Sequence, residues 1–234
     1  METKDLQILY EDNQIIVAIK PQNVPSQEDS SGDKDMLSMI KEYVKEKYNK
    51  PGEAFIGLVH RLDRPTGGIM VFARNSKSAA RLSEQIRQNQ MHKTYYCVAV
   101  GTLKDKEATL VNYLKKDEKE NIVKIVPISE SGAKKAELKY KILQTEGNLS
   151  LCQVNLISGR SHQIRVQFAG INCPLFGDKK YGKFAAGTTD NLGLWAGRLE
   201  FVHPTTKQKM IFACPPDTSK MPWKNFYLDK YFLR

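Results

Sequence analysis

The chain has 234 residues, 41% hydrophobic and 26% charged, which is enough for one large domain or two small ones. Lys and Arg number 36 against 26 Asp and Glu, and this net charge of +10 favours a polyanionic partner such as nucleic acid. No run approaches the ~20 apolar residues of a membrane span, and no signal-peptide pattern opens the chain. The four cysteines include no C-x-x-C pair, so we expect buried thiols in a cytoplasmic protein, without disulfides or a zinc site.

The N-terminal part of the chain predicts two strands, a loop and a helix. Segments 6–10 and 15–19 are short apolar runs typical of strands, and the polar segment 22–32 is typical of a loop. Asp33 or Asp35 is suited to cap the helix that follows. Its inner face is predicted to consist of Leu37, Ile40, Val44 and Tyr48.

A charged loop follows between two apolar segments, 55–59 and 69–73, which we predict to be buried strands. The loop reads His60-Arg61-Leu62-Asp63-Arg64-Pro65-Thr66-Gly67-Gly68 and places one carboxylate between two arginines. Loops held by rigid strands often carry binding and catalytic residues. Taken alone, however, the motif is more commonly an exposed Arg–Asp ion pair of little energetic weight.

The middle of the chain predicts a second helix, capped by Asn75 or Ser76, and then a series of strands. The helix is predicted to bury Ala79, Leu82 and Ile86. The predicted strands are 93–101, 108–114, 122–128, 136–142, 149–156 and 209–213. Strand alternation sends Tyr95 and Tyr96 to opposite faces. Many strands with turn-length gaps favour a largely antiparallel sheet with helices added on one side.

Residues 158–174 predict a second charged loop followed by a helix. Ser161 is the predicted cap, and Asn172 is the predicted left-handed residue that ends the helix. The predicted apolar stripe is Ile164, Phe168 and Ile171.

His162 and Arg165 are three residues apart and share a face of this helix. The helix dipole disfavours a cation in the first turn, so we expect a specific partner for Arg165, with a carboxylate as the obvious candidate. For His162 alone, a structural hydrogen bond is a commoner role than catalysis. No other His or Cys stands at ligand spacing, so we expect no metal.

Past this helix, the patterns are weaker. Residues 183–191 read as a Gly/Thr/Ala loop, and 194–196 and 199–201 look packed. The C-terminal tail is rich in aromatic residues, so we expect it to dock onto the rest of the protein.

The ordered set of motifs resembles RluA-type RNA pseudouridine synthases. The matching pieces are His60-Arg-Leu-Asp63 with Thr66 and Gly68, Lys93-x-Tyr95, Gly159 to Arg165, Gly177-Asp178-x-x-Tyr181-Gly182, and His203-Pro204. The resemblance covers about 9–215 and departs modestly at Gly67 and Asn172. It implies an α+β fold, a mixed, mostly antiparallel sheet flanked by helices and loops, with a central RNA-binding cleft. We expect 1–234 to be a single catalytic domain without the N-terminal S4 RNA-binding domain of many members.

By this resemblance, the protein isomerises a uridine of ribosomal RNA or tRNA to pseudouridine, without cofactor or metal. Asp63 matches the catalytic nucleophile and Arg165 its ion-pair partner, whereas Tyr95 matches a pocket tyrosine that stacks on the uracil or accepts a proton. Arg61 matches the residue that fills the stack left by a flipped base. Substrate contacts are assigned to His60, Arg61, Thr66, Arg160, His162 and Gln163. We expect a monomer.

Two other classes of protein remain open at this point. One is a non-catalytic RNA-binding or RNA-remodelling protein, against which the complete set of Asp63, Tyr95 and Arg165 argues. The other is an unrelated hydrolase that uses Asp63 and His162 as an acid/base pair, which the lack of a second pocket carboxylate or metal cluster disfavours. The sequence leaves open which RNA is modified, and whether Asp63 attacks the sugar or the base.

Overall fold

A computed structural model describes residues 6–49, 51–182 and 191–232 of the protein, and these combine α-helices with antiparallel strands. The described residues form two compact units. Unit 1 is drawn from residues 1–93 and 196–214, and unit 2 from 94–195 and 215–234. The expectation of a single domain stays a prediction. None of the helices described is long and apolar enough to cross a membrane.

Unit 1 contains six of the strands and two helices of the described chain. These are β1 (Gln7–Glu11), β2 (Ile15–Lys20), α1 (Met36–Lys47), β3 (Gly57–Leu58), β4 (Gly67–Ala73), α2 (Ser76–Arg87), most of β10 (Leu194–Val202), and β11 (Lys209–Ala213). The strand order is β1-β2-β4-β10, with β3 on β4 and β11 on β10. The predicted strands 15–19 and 69–73 correspond to β2 and β4, and every residue of both is buried.

The two helices of unit 1 begin where the sequence predicts. The Asp35 side chain accepts the Ser38 N–H at the start of α1, and the Asn75 side chain accepts the Ser78 N–H at the start of α2. Such caps satisfy backbone donors that have no partner within the helix, and each contributes about 1 kcal/mol.

Two predictions for unit 1 are wrong in part. The buried residues of α1 are Met36, Met39, Ile40 and Val44, whereas Tyr48 is exposed. The inner face is therefore rotated, because the methionines were left out of the apolar pattern. Segment 55–59 is strand only at Gly57–Leu58, and Phe55 is 53% exposed. The ladder ends there because the His60 ring takes over the next backbone donor of β4, as described below.

Unit 2 contains most of β5 (His92–Val100), β6 (Glu107–Asp117), β7 (Ile122–Val126), β8 (Lys134–Glu146), β9 (Leu149–Leu156), α3 (Gln163–Gly170), and the 3₁₀ turns Trp223–Asn225 and Asp229–Tyr231. The strand order is β5-β9-β8-β6-β7, and the β5–β9, β9–β8, β8–β6 and β6–β7 pairs are antiparallel. Helix α3 packs on one face of this sheet, with the rings of Tyr140 and Phe168 5.4 Å apart.

The start of α3 differs from the prediction. Ser161 is not the cap: the residue before the helix is His162, in the left-handed conformation (φ 51°) and without a capping hydrogen bond. Asn172 is left-handed as predicted (φ 58°), because asparagine tolerates this conformation. Ile164 and Phe168 are buried, whereas Ile171 is exposed.

The C-terminal tail docks onto unit 2, as predicted. Trp223 and Phe226 are buried, and the Phe232 ring lies 4.6 Å from that of Tyr96. Tyr227 is the exception, at 83% exposed. The packed segments 194–196 and 199–201 belong to strand β10, whose continuity was missed. Most of the predicted 183–191 loop lies outside the described residues.

Candidate active site

The Asp63 loop comprises residues 60–68 of unit 1. Asp63 is half-buried, and its carbonyl accepts the Thr66 N–H at 2.9 Å, which closes a tight turn. The next residue, Arg64, forms ion pairs with Asp29 and Asp33, two carboxylates outside the motif.

A buried lysine that the sequence analysis overlooked donates hydrogen bonds to the backbone of this loop and of the segment after β2. Lys20 ends β2 and is 0% exposed. Its ammonium donates to the carbonyls of Pro21 (3.0 Å), Val24 (2.5 Å) and Arg64 (2.9 Å). Burial lowers the pKa of Lys20 to about 7, although the negative charge of Asp63 opposes this shift. The sequence signal was a lone lysine that ends an otherwise apolar strand.

His60 supports the other end of the loop. Its Nε2 accepts the Val71 N–H of β4 at 3.0 Å, which places the ring proton on Nδ1. Burial, and to a lesser degree the charge of Lys93, lowers the pKa of His60 well below its ordinary value, so the ring is neutral at pH 7. Nδ1 is buried without a hydrogen-bond partner within the described parts of the chain. A substrate contact of His60 stays a prediction.

Three further residues of the loop differ in exposure. Arg61 is exposed, whereas Thr66 is buried and holds the turn through its backbone N–H. Gly68 has a φ of 127°, and a Cβ there would lie 2.3 Å from the Ala196 carbonyl oxygen of β10. Only glycine fits this close approach. The predicted substrate contacts of Arg61 and Thr66 are not tested by this geometry.

Unit 2 contains a separate group of candidate residues, the Arg165 cluster, which comprises His162, Arg165, Asp178 and Tyr181. The Arg165 guanidinium donates to both carboxylate oxygens of Asp178, at 2.8 and 2.7 Å, and both side chains are buried. Burial works to raise the pKa of Asp178, but the hydrogen bonds and charge of Arg165 outweigh it and lower this pKa. Arg165 therefore has the carboxylate partner that its place in the helix predicted, in a residue the sequence analysis did not name for that role. Its predicted pairing with Asp63 stays a prediction.

Tyr181 joins the members of this cluster. Its hydroxyl accepts the Val123 N–H of β7 at 2.8 Å and lies 2.6 Å from His162 Nδ1. The Arg165 guanidinium carbon lies 5.1 Å from the centre of its ring, a distance typical of a cation–π contact. His162 thus has a structural hydrogen bond, the commoner role for a histidine. Tyr181 contacts both His162 and Arg165, which are three residues apart.

Gln163 and Arg160 shape the loop before α3. The buried Gln163 carboxamide accepts from the Arg160 N–H and the Ser158 hydroxyl, and donates to the Glu137 carbonyl. The exposed Arg160 side chain donates to the Lys135 carbonyl. These contacts hold the loop in place, a function that the sequence did not indicate. Substrate binding by either residue stays a prediction.

Tyr95 lies in β5 opposite Val154, and Tyr96 lies opposite Gln153, so the two tyrosines occupy opposite faces of the sheet as predicted. Both are buried. Within the described ranges, no group of three or more His, Cys, Asp or Glu could hold a metal ion.

The chain belongs to the RNA pseudouridylate synthase family, a family of isomerases, because that family's model matches residues 14–170. The predicted RluA-type membership and the predicted α+β class are thus confirmed.

Three relatives illustrate the match. The chain is 30% identical over 217 residues to the RNA pseudouridine synthase YhcT of Bacillus subtilis, covering 92% of this chain and 70% of the relative. It is 32% identical over 213 residues to an RNA pseudouridine synthase of Mycoplasma pneumoniae (91% and 67%). It is 30% identical over 215 residues to the ribosomal large subunit pseudouridine synthase C of Vibrio cholerae (89% and 65%). The chain thus spans about two thirds of these relatives' lengths.

Two solved human structures share the fold. RNA pseudouridylate synthase domain containing 4 superposes with a TM-score of 0.76 at 24% identity, covering 92% of this chain and 91% of the other. RNA pseudouridylate synthase domain containing 1 gives 0.73 at 20% identity (92% and 85%).

Proposed function

We propose that the protein converts a uridine of RNA to pseudouridine, with Asp63 as the nucleophile. Asp63 forms a transient covalent bond to the nucleotide, and this bond breaks again before the product leaves. Over the whole reaction, the N1–C1′ bond breaks and a C5–C1′ bond forms, while C5 loses a proton and N1 gains one. Atoms and electrons balance without a redox step, so no cofactor is required. The observation that carries the proposal is the family match over 14–170, which includes the Asp63 loop.

The Asp63 loop has the physical properties that such a nucleophile needs. Covalent catalysis by a carboxylate requires a position held close to the reacting carbon. Asp63 is half-buried, and its turn is closed by Thr66 and held by Lys20. An RNA base reaches such a residue only after it is flipped out, at a cost of a few kcal/mol. The exposed Arg61, two residues before the nucleophile, is suited to fill the space that the flipped base leaves in the RNA base stack.

Tyr95 and Arg165 are assigned to the same reaction on the strength of the motif match. The buried ring of Tyr95 would stack on the uracil or accept a proton. Arg165 supplies a permanent positive charge, since a guanidinium does not deprotonate in proteins.

For the substrate, we favour ribosomal RNA of the large subunit. The support is that several relatives, including that of Vibrio cholerae, are named ribosomal large subunit pseudouridine synthase C. The net charge of +10 suits a polyanionic substrate. The buried thiols of Cys97, Cys152 and Cys173 suit a reducing cytoplasm. We propose that the protein acts as a monomer, because the RNA itself supplies the binding partner.

The decisive test replaces the nucleophile. Asp63→Asn is nearly isosteric but far less nucleophilic, so it should abolish pseudouridine formation in large-subunit ribosomal RNA while leaving the RNA affinity within about threefold. Pseudouridine is mapped in ribosomal RNA and tRNA incubated with each variant, and affinity is measured by filter binding. Asp105→Asn, at an exposed aspartate of unit 2, is the control and should match the wild type.

Turnover by Asp63→Asn would refute the assignment of the nucleophile. A wild-type protein that binds RNA but forms no pseudouridine in either substrate would instead favour a non-catalytic RNA-binding role. Modification of tRNA alone would refute the ribosomal substrate.

A further inference from the structure

We propose that Ser26 is a positioning residue for Asp63, which it acts on through the backbone of Leu62. The inference rests on the proposed function of Asp63 as the nucleophile. Ser26 lies in the polar loop before α1, 37 positions ahead of Asp63, and no catalytic motif includes it.

The Ser26 hydroxyl makes two hydrogen bonds to one residue. It donates to the Leu62 carbonyl at 2.8 Å and accepts the Leu62 N–H at 3.1 Å. Ser26 is buried, and so is the Leu62 side chain. A neighbouring β-strand would satisfy a backbone in the same way, but Leu62 lies in none of the described strands. One hydroxyl therefore takes the place of a strand at the residue that precedes the nucleophile.

The backbone that carries the Ser26 hydroxyl is bonded to helix α1. The Ser26 carbonyl accepts the Leu37 N–H at 3.3 Å, and the Pro25 carbonyl accepts the Met36 N–H at 2.9 Å. Both donors belong to the first turn of α1, which Asp35 caps. Functional groups supported by a helix are held more accurately than those on free loops. The chain of contacts thus runs from α1 through Ser26 to Leu62.

Asp63 is then held on both sides. On its N-terminal side, Leu62 is bonded to Ser26; on its C-terminal side, the Asp63 carbonyl accepts from Thr66. Because Asp63 shares a peptide bond with Leu62, a shift of Leu62 moves the Asp63 Cα directly. A misplacement of about 1 Å costs about 10²-fold in rate. Substrate affinity, to which the net charge of +10 contributes, should be far less sensitive.

The test compares Ser26→Ala with Ser78→Ala. Ser78, in α2, is also a buried serine of unit 1, and its hydroxyl donates to Gln14 Oε1 at 2.9 Å. Ser26→Ala should lower kcat for pseudouridine formation about 10- to 100-fold, with KM for the RNA within about threefold. Ser78→Ala should keep kcat within about threefold of the wild type. Thermal melting of both variants measures the loss of stability.

A second readout does not depend on activity. The Leu62 amide should exchange with deuterium at least about tenfold faster in Ser26→Ala than in Ser78→Ala, because its acceptor is gone. If Ser26→Ala fails to fold, Ser26→Cys, which fills nearly the same volume with a weaker hydrogen-bonding group, replaces it in both measurements.

Wild-type kcat in a folded Ser26 variant would overturn the proposal, and so would an equal loss of kcat in Ser78→Ala. Unchanged exchange of the Leu62 amide would overturn it as well. Absence of pseudouridine formation by the wild type would instead refute the proposed function, while the exchange measurement would still test the contact between Ser26 and Leu62.

Discussion

The contacts described for the Asp63 loop and for the Arg165 cluster act on different parts of the chain. Around Asp63, the contacts described above act on the main chain: Lys20, Ser26 and Thr66 bond to backbone groups of residues 62–64. Around Arg165, they act on the side chain itself, through both oxygens of Asp178. The first set of contacts fixes the position of the Asp63 backbone, whereas the second orients the Arg165 guanidinium.

This difference suits the chemistry proposed for each residue. A nucleophile must change its bonding during the reaction, and contacts to its backbone do not oppose that change. An arginine that contributes only charge can be held directly by a counter-ion without loss of function. The two regions should therefore respond differently to mutation and to pH.

The largest effect is expected for Asp178→Asn, which removes the carboxylate that accepts two hydrogen bonds from the buried Arg165 guanidinium. We expect the free energy of unfolding to fall by about 3–5 kcal/mol at pH 7. Because the native pKa of Asp178 lies below the ordinary 3.8, its contribution is complete above that pH and is lost as the pH falls through the native value. Urea unfolding at pH 7 and pH 3 should show the difference from wild type shrinking in acid.

The double variant Arg165→Met/Asp178→Asn is the control for this experiment. Removal of the buried charge should restore part of the lost stability but no activity. Equal instability of the single and double variants would show that the charge of Arg165 is not the cause of the lost stability, and the contrast between the two regions would fail.

An intermediate effect on stability is expected from Lys20, whose charge is buried among carbonyl groups. Its native pKa of about 7 lies below the ordinary 10.5, so between these values the unfolded chain holds a proton that the native protein has released. Stability from this group therefore rises with pH, by at most about 1.4 kcal/mol per pH unit. Urea unfolding of wild type and Lys20→Met at pH 6 and pH 9 should show that the stability of the wild type relative to the variant is greater at pH 9.

Lys34→Met, at an exposed lysine, is the control for the loss of a lysine side chain. A constant difference between wild type and Lys20→Met would mean that Lys20 stays charged like Arg165, and the two regions would then be electrostatically alike.

The smallest effect is expected for Tyr181→Phe, which keeps the ring beside Arg165 and removes the hydroxyl. The Val123 N–H and His162 lose a partner, so the free energy of unfolding should fall by about 1–2 kcal/mol. Pseudouridine formation should fall less than in Asp178→Asn, because Arg165 keeps its carboxylate. A larger loss of activity than of stability, measured by kcat and urea unfolding, would give the hydroxyl a direct part in the reaction.

Most strands were predictable because their signal is local. The apolar runs of β2 and β4 and the alternation along β8 are visible in the sequence, and so are the caps at Asp35 and Asn75. Segment 55–59 was predicted too long because its hydrophobicity says nothing of His60, whose ring ends the ladder.

The site was predictable only as a set of motifs. The order of motifs led to Asp63 and Arg165, but hydrogen bonds between residues distant in sequence leave no periodic signal. Lys20 and Ser26 contact the loop across more than 30 residues, and Asp178 reaches Arg165 across 13. Ser161 was predicted as the cap because serine is a common capping residue, whereas the left-handed conformation of His162 and its contact with Tyr181 are not visible in a single sequence.

The close approach of Gly68 to the main chain of Ala196 limits how this protein can be redesigned. Attempts to retarget it to another RNA by lengthening or diversifying the loop would displace β4 from β10 if they began at that glycine. Library positions are better confined to exposed residues near Asp63, starting with Arg61, where new side chains contact water or RNA and leave the core undisturbed.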